Sequence, residues 1–309
     1  MFNPVCHIAI GSFVFDFVHQ LEVESSWELL TDTGKILLPA NLKLDKNKLR
    51  ELIAPGDAVS IDCGYLGDVN RVFSGYVSGI APKLPIEILL EDEAWKLKQS
   101  TITDSLQNAS LSDLMAKHFQ GYQTRILDTE IGNYQIDNAS RAKILQSLRE
   151  QFGLYGFFRQ GVLVVGRVYD TQTATMHAMP FERIIEHDLQ YKRKEDIRLQ
   201  VTAISNNPDG SKTEVRLGDA DGEQRSLNFY NLSMAALKDA ATREMDRLKY
   251  DGYRGTMTCF GQPFIKHGDI VELMNNEKAD TTGRYWVDAV NYTFGVGGYR
   301  QKIKLGPRA

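Results

Sequence analysis

Between Val5 and Leu97, apolar and polar positions alternate with a period of two, as expected of strands that bury one face. Phe15, Phe17, His19, Leu21 and Val23 form the apolar row of one such strand, and Asp16, Val18, Gln20, Glu22 and Glu24 form its outward, mostly acidic row. Ile36-Leu37-Leu38-Pro39, Asp57 to Asp62, Val72 to Ile80 and Ile86 to Leu90 predict further short strands, punctuated by turns such as Pro55-Gly56-Asp57. About five antiparallel strands in this space suit a small barrel or sandwich.

The period changes between about residues 100 and 186. Ser110 caps a predicted helix that places Leu111, Leu114, Met115, His118 and Phe119 on one face, with Asp113 at its favourable N-terminal end. A second helix, from about Ser140 to Phe152, buries Ile144, Leu145, Leu148 and Phe152 and stops at Gly153, which suits a left-handed cap. Leu154 to Phe158, the turn Arg159-Gln160-Gly161 and Val162 to Val168 then read as a hairpin, giving a small α+β module.

Strand patterning returns from about His187. Leu199 to Ile204, the turn Asn207-Pro208-Asp209-Gly210 and Thr213 to Leu217 predict a hairpin. One helix interrupts, capped by Ser233, striped by Leu237, Ala240, Ala241, Met245 and Leu248, and ended by Gly252. Thr256 to Phe260, Ile270 to Met274, Tyr285 to Tyr292 and Tyr299 to Leu305 supply the remaining strands. The divisions implied are 1–98, a first β-barrel; 99–186, the α+β module; and 187–309, a second β-barrel with an inserted helix. A faint repeat connects the outer two: Pro55-Gly56-Asp57-Ala58-Val59-Ser60-Ile61 parallels His267-Gly268-Asp269-Ile270-Val271-Glu272-Leu273. Gly-Asp before a strand is also a common turn, so coincidence stays open at this level.

Composition narrows the class. The 309 residues carry 36 Lys and Arg against 40 Asp and Glu, a net charge of −4, with 42% hydrophobic residues, which excludes a disordered chain and gives no general attraction for polyanions. Cys6, Cys63 and Cys259 are scattered and form no CxxC pair, so they indicate neither a zinc site nor a disulfide framework and read as small buried hydrophobes in a reducing compartment. Met1-Phe2-Asn3-Pro4 lacks a basic leader, and Asp16 and His19 break the apolar run that follows, so no membrane embedding is expected.

Recognisable catalytic motifs are missing: there is no Walker loop, no GxGxxG before a helix, no HExxH and no GxSxG. The six histidines, His7, His19, His118, His177, His187 and His267, stand singly, and His19 and His118 fall on apolar rows, as satisfied core residues do. Asp219, Asp221 and Glu223 hint at a calcium loop, yet Asn228 stands where an EF-hand needs Glu, so a solvated hairpin turn is expected. Glu91-Asp92-Glu93 cannot point three carboxylates into one cleft. Lys43, Lys46, Lys48 and Arg50, and Lys192-Arg193-Lys194, read as solvated faces. No catalytic, cofactor or metal residue is assigned. Two other classes remain: a cell-wall or glycan hydrolase whose acid pair is dispersed over loops, and a carbohydrate-binding module using Trp27, Trp95 or Trp286, residues more often found in cores.

Read together, the segments resemble a known family. Ser26 to Pro39, Pro55-Gly56-Asp57, Phe73-Ser74-Gly75-Tyr76-Val77 and Leu90 to Lys98 look like the opening barrel of phage baseplate or tail hub proteins of the late control D type, with relatives in contractile injection systems and type VI spike proteins. Leu145 to Tyr155 is similar to that family's connecting module, and Tyr250 to Gly255, Gly268-Asp269 and Gly298 to Gly306 resemble its second barrel. The resemblance implies an α+β, β-dominated fold in which two tube-type antiparallel β-barrels flank a small α+β module. It implies a non-enzymatic virion structural protein: a homotrimer that adapts a three-fold central spike protein to a six-fold tail tube protein and forms a channel. Assembly in the bacterial host cytoplasm and a place in the phage or prophage tail or baseplate follow from the same likeness. On this view Asp16, Glu22 and Glu24 line a lumen through which DNA passes without sticking; ordinary solvent exposure is the competing reading. Because the sequence stops at Ala309, soon after the second barrel, a spike or wall-degrading activity is expected on separate polypeptides.

Overall fold

The computed structural model describes residues 3–39, 52–81, 85–159, 161–166, 168–169, 174–274 and 282–309. The basic stretch Lys43, Lys46, Lys48 and Arg50 and the turn residue Gln160 lie outside them. Strands β1 (Pro4–Ile10), β2 (Phe13–Phe15), β3 (Gln20–Ser26), β4 (Thr33–Leu37), β5 (Ala58–Tyr65), β6 (Asp68–Ala81) and β7 (Glu87–Glu91) make the first part. Helix α1 (Ala94–Leu97) leads into β8 (Thr101–Ser110), α2 (Leu111–His118), β9 (Gln123–Ile126), β10 (Glu130–Ser140), α3 (Arg141–Phe152), β11 (Tyr155–Arg159) and β12 (Val162–Gly166). Next come β13 (Met176–Pro180), β14 (Ile184–His187), β15 (Gln190–Lys192), β16 (Leu199–Asn206), β17 (Lys212–Gly218) and β18 (Glu223–Tyr230). Helix α4 (Met234–Leu248), β19 (Gly252–Arg254), β20 (Thr256–Phe260), β21 (Ile270–Met274), β22 (Gly283–Gly295) and β23 (Gly298–Arg308) complete the chain. With 56% strand and 16% helix among the described residues, the class is α+β and β-dominated, as expected.

The duplication is explicit in the sheet. The first part orders its strands β3-β4-β7-β6-β5-β1, and the last part orders its own β14-β20-β23-β22-β21-β13, so successive strands of each part take the same places. Local details repeat too. A bulge breaks the β6–β7 register between Val77 and Gly79, and another breaks β22–β23 between Val287 and Ala289. Gly56 (φ 96) and Gly268 (φ 78) both occupy the left-handed region open to glycine. The Gly56 N–H donates to Val77 O at 2.8 Å and the Gly268 N–H to Val287 O at 2.8 Å. Asp57 Oδ2 accepts from the Ala54 N–H at 2.8 Å, and Asp269 Oδ2 accepts from the Lys266 N–H at 2.9 Å. The Gly-Asp pattern is therefore one turn used twice, in which a carboxylate satisfies a backbone donor. The copies differ in one pairing: β1 runs antiparallel to β5, whereas β13, which the chain enters after β12, runs parallel to β21.

Two closed barrels do not form. Strand β3 pairs β22 from Ser26 opposite Ala289 to Gln20 opposite Gly295, which fuses both parts into one 13-stranded sheet that does not close. The physical reason is that β3 satisfies its free edge on the other copy instead of on β1. A common core results, with Leu21, Val23, Ile36 and Ile61 packing in one cluster with Val271, Val290 and Ile303. Each such side chain contributes about 1.5–3 kcal/mol on burial.

Three more expectations change. The single strand through Phe15 and Val23 is two, because β2 stays with β1 while β3 belongs between β22 and β4; Phe17, in the crossing, is 54% exposed. The middle module has its helices where expected, with Ser110 and Ser140 as caps and Gly153 left-handed, but also a long β8–β10 pair. Finally, the inserted helix brings a sheet of its own: β16 lies between antiparallel β17 and parallel β18, and α4 packs Leu237 and Ala241 on Leu199, Val201 and Ala203. The segment Gly218 to Gly222 thus crosses past the start of β16, with the Asp219 N–H bonded to Leu199 O, and is no hairpin turn.

Candidate functional site

One face of the 13-stranded sheet wraps the core, so the opposite face is the surface available to partners. Direct cross-strand pairing carries that face over the seam. Glu22 lies opposite Thr293 and Lys35, and Glu24 lies opposite Asn291 and Thr33. Across β22, Asn291 and Thr293 lie opposite Lys302 and Arg300, and Ala289 lies opposite Lys304. The face therefore carries acids on β3 and a row of bases on β23. Its charges are partly matched: Lys35 Nζ is 3.8 Å from Glu22, Asn291 Nδ2 donates to Glu22 at 2.9 Å, and Lys304 donates to Glu28 at 2.8 Å.

Of the three acidic residues singled out from the sequence, the fold keeps two together. Glu22 and Glu24 share this face of β3, while Asp16 sits in the crossing before it and accepts from His7 Nδ1 at 2.6 Å. The basic row Arg300, Lys302 and Lys304 was missed, although its alternation with Tyr299, Gln301 and Ile303 is visible in the sequence.

Behind the sheet, the middle module is held by buried polar groups. Asp269, fully buried, accepts from Arg159 Nη2 at 2.9 Å and the Thr175 N–H at 3.2 Å and bonds His177 Nε2 at 3.2 Å, besides capping its turn. Burial alone would raise its pKa, but His177, these N–H donors and Arg159 outweigh burial and hold the carboxyl below the usual range. Neighbouring His267 is buried against Phe157, and burial, aided by Arg159, pushes it down to about 4. Asp288 accepts from Trp27 Nε1 at 3.1 Å and from Tyr169 Oη at 2.7 Å.

A cavity of about 310 Å³ opens between the fused sheet and the β11–β12 hairpin, lined in part by Ser25, Asp32, Asp92, Arg159, His267 and Tyr292. Asp32 accepts from Ser25 Oγ at 2.5 Å and the Ser26 N–H at 3.1 Å; Asp92 accepts from the Ala94 N–H at 2.9 Å at the start of α1. Burial pushes Asp32 up to about 7, and burial with the Asp32 charge raises Asp92. This carboxylate pair, far apart in sequence, is what a dispersed acid pair looks like; each member is committed to the local turn it stabilises. As expected, Glu91, Asp92 and Glu93 do not all share one cleft: Asp92, buried, and Glu93, which accepts from Tyr76 at 2.9 Å, line the cavity, while Glu91 pairs Lys98 at 2.7 Å. The tryptophans serve packing: Trp286 is 6% exposed, Trp27 meets Tyr155 edge-on, and Trp95 stacks on Tyr76. His118 is a satisfied, partly buried histidine bonded to Asp104 at 2.7 Å, whereas His19 is exposed. Among the described residues, no group of three or more metal-ligating side chains gathers, and no helix is long and apolar enough to cross a membrane.

No protein-family model matches the chain, and no curated protein matches it by sequence. Solved structures do match in fold. A tail protein from Neisseria meningitidis MC58 aligns over 99% of this chain and 97% of its own, with a TM-score of 0.69 and 14% identity. A 43 kDa tail protein of prophage MuSo2 from Shewanella oneidensis aligns over 98% of this chain and 97% of its own, with a TM-score of 0.65 and 15% identity. An E. coli component of the type VI secretion system, described as similar in structure to T4 bacteriophage tail proteins, aligns over 98% of this chain and 77% of its own, with a TM-score of 0.60 and 9% identity. The fold is thus that of phage tail proteins and a type VI secretion component.

Proposed function

We propose that the chain is a structural, non-enzymatic hub of a phage tail or contractile injection baseplate. Three copies join a three-fold spike to a six-fold tail tube around a channel, in a particle assembled in the host cytoplasm. The observation that carries this reading is the duplicated strand order, since two equivalent units per chain let a trimer offer six similar units to a six-fold partner. The fold shared over nearly the whole length with two tail proteins supports it.

In this arrangement the polar face of β3, β22 and β23 looks into the bore. Its wall is mixed in charge, Glu22 and Glu24 facing Arg300, Lys302 and Lys304 across β22, and a duplex passing it meets no continuous basic track from which to release counterions. Asp16, paired with His7 away from this row, stays out of the wall. Solution mass tests the assembly. A hub gives three times the 34.9 kDa chain mass alone, or three copies of the chain per complex once tube or spike protein is added. A chain that stays monomeric with both partners present contradicts the reading. DNA ejection from particles carrying Glu22→Lys with Glu24→Lys tests the wall: slowed ejection is expected, and an unchanged rate removes the lumen role.

A further inference from the structure

Among the described residues several strands are paired on one side only, β2 and β13 among them, and two further open edges are singled out by the repeat. Strand β6 meets β5 only as far as Tyr76 and the Gly56-Asp57 turn only at Val77, so on that side Ser78 to Ala81 are uncovered, while β7 holds the other side. Strands β14 and β15 form a nearly continuous edge, bonded on one side alone, to β20 and β19. On it Ile185 and Tyr191 are 46% and 42% exposed, and an open edge with apolar side chains invites another strand.

These two edges are the counterparts of the two that meet at the internal seam. Through the shared bulge, Gly79 to Ala81 correspond to Ala289 to Asn291, the residues of β22 that receive β3. Through β20 and β4, which lie in the same register on β23 and β7, the segment 186–192 corresponds to 20–26: His187 faces Met257 as Leu21 faces Ile36, and Gln190 faces Arg254 as Glu24 faces Thr33. Each copy of the repeat therefore has a donor edge and an acceptor edge, and one of each is used inside the chain.

We propose that these two edges pair between copies of this chain, residues 79–81 of β6 in one antiparallel to β15 of the next. The seam fixes the register: Ala289 faces Ser26, Val290 faces Ser25 and Asn291 faces Glu24, so Gly79 faces Lys192, Ile80 faces Tyr191 and Ala81 faces Gln190. The contact is head-to-tail, the kind that closes into a ring, and it covers Tyr191 with Ile80. It rests on the hub reading and adds to it the strands and the register.

Cross-linking tests it on the full chain, whose own three cysteines are buried. Ala81→Cys with Gln190→Cys, treated with a short bis-maleimide, is expected to give covalent species up to three chains. Ala81→Cys with Ile185→Cys sets the second thiol about 16 Å off register at ~3.3 Å per residue and is expected to give none. In the unsubstituted assembly, backbone amides of 190–192 are expected to exchange at least tenfold more slowly than those of the edge strand β17. A trimer in which the in-register pair fails to link, or 190–192 exchanges as fast as β17, overturns the edge assignment and leaves the hub standing. A chain monomeric even with tube and spike proteins overturns both.

Discussion

The repeated turn supplies its own control for how the middle module is held. Asp57 and Asp269 cap the same Gly-Asp turn, accepting from Ala54 N–H at 2.8 Å and Lys266 N–H at 2.9 Å. Asp269 alone also meets Arg159 at 2.9 Å, His177 at 3.2 Å and the Thr175 N–H at 3.2 Å, with its side chain fully buried and that of Arg159 17% exposed. Asp57→Ala loses one capping bond, which costs about 1 kcal/mol. Asp269→Ala loses the same bond and breaks a buried charge cluster, which costs about 3–5 kcal/mol. Urea denaturation followed by tryptophan fluorescence measures both. Equal losses in the two variants refute the view that the second copy of the turn docks the β11–β12 hairpin.

Further outcomes follow from the same structure. Asp32 has a folded pKa raised to about 7 against 3.8 unfolded, so its contribution to stability is full below 3.8 and is lost as pH rises through 7. Asp32→Asn is therefore expected to flatten the fall in melting temperature between about pH 4 and 7; an unchanged slope counts against the shift. His267, lowered to about 4 from 6.5, acts oppositely, its contribution present above 6.5 and lost as pH falls through 4. His267→Phe is expected to soften acid unfolding, read by circular dichroism. All three cysteines are buried and burial pushes Cys259 up to about 12, so a thiol reagent should find none reactive in the native chain and three in urea. A fast native thiol at Cys6 or Cys63 contradicts the packing of β1 against β5, where the two lie side by side with sulfurs 3.6 Å apart.

How much was legible depended on the length of each pattern. Long alternating runs such as Val72 to Ile80 and Tyr285 to Tyr292 set their strands, and Ser110, Ser140, Ser233 and Gly153 marked helix ends because capping is local chemistry. Strands β14 and β15, four and three residues long, carry no readable period, yet they form the open edge. The β8–β10 pair was hidden because its exposed side is polar, leaving only Ile102, Leu106 and a few others as an apolar row. The repeat was visible at Gly56-Asp57 and Gly268-Asp269, but the β3–β22 seam joins residues more than 260 positions apart, and nothing local encodes which edge a strand satisfies. For the same reason the Asp32–Asp92 pair and the Asp269 cluster appear only in three dimensions. Glu22 and Glu24 kept their shared face because i and i+2 in one strand always do, while Asp16 lost it at the break before β3.

End-on electron microscopy of the assembled particle is the most direct measurement. The account predicts three chains arranged as six similar lobes around an open bore, with alternate lobes bearing the inserted β16–β18 and α4 unit. Three undivided lobes, or six lobes built from six chains, would contradict it.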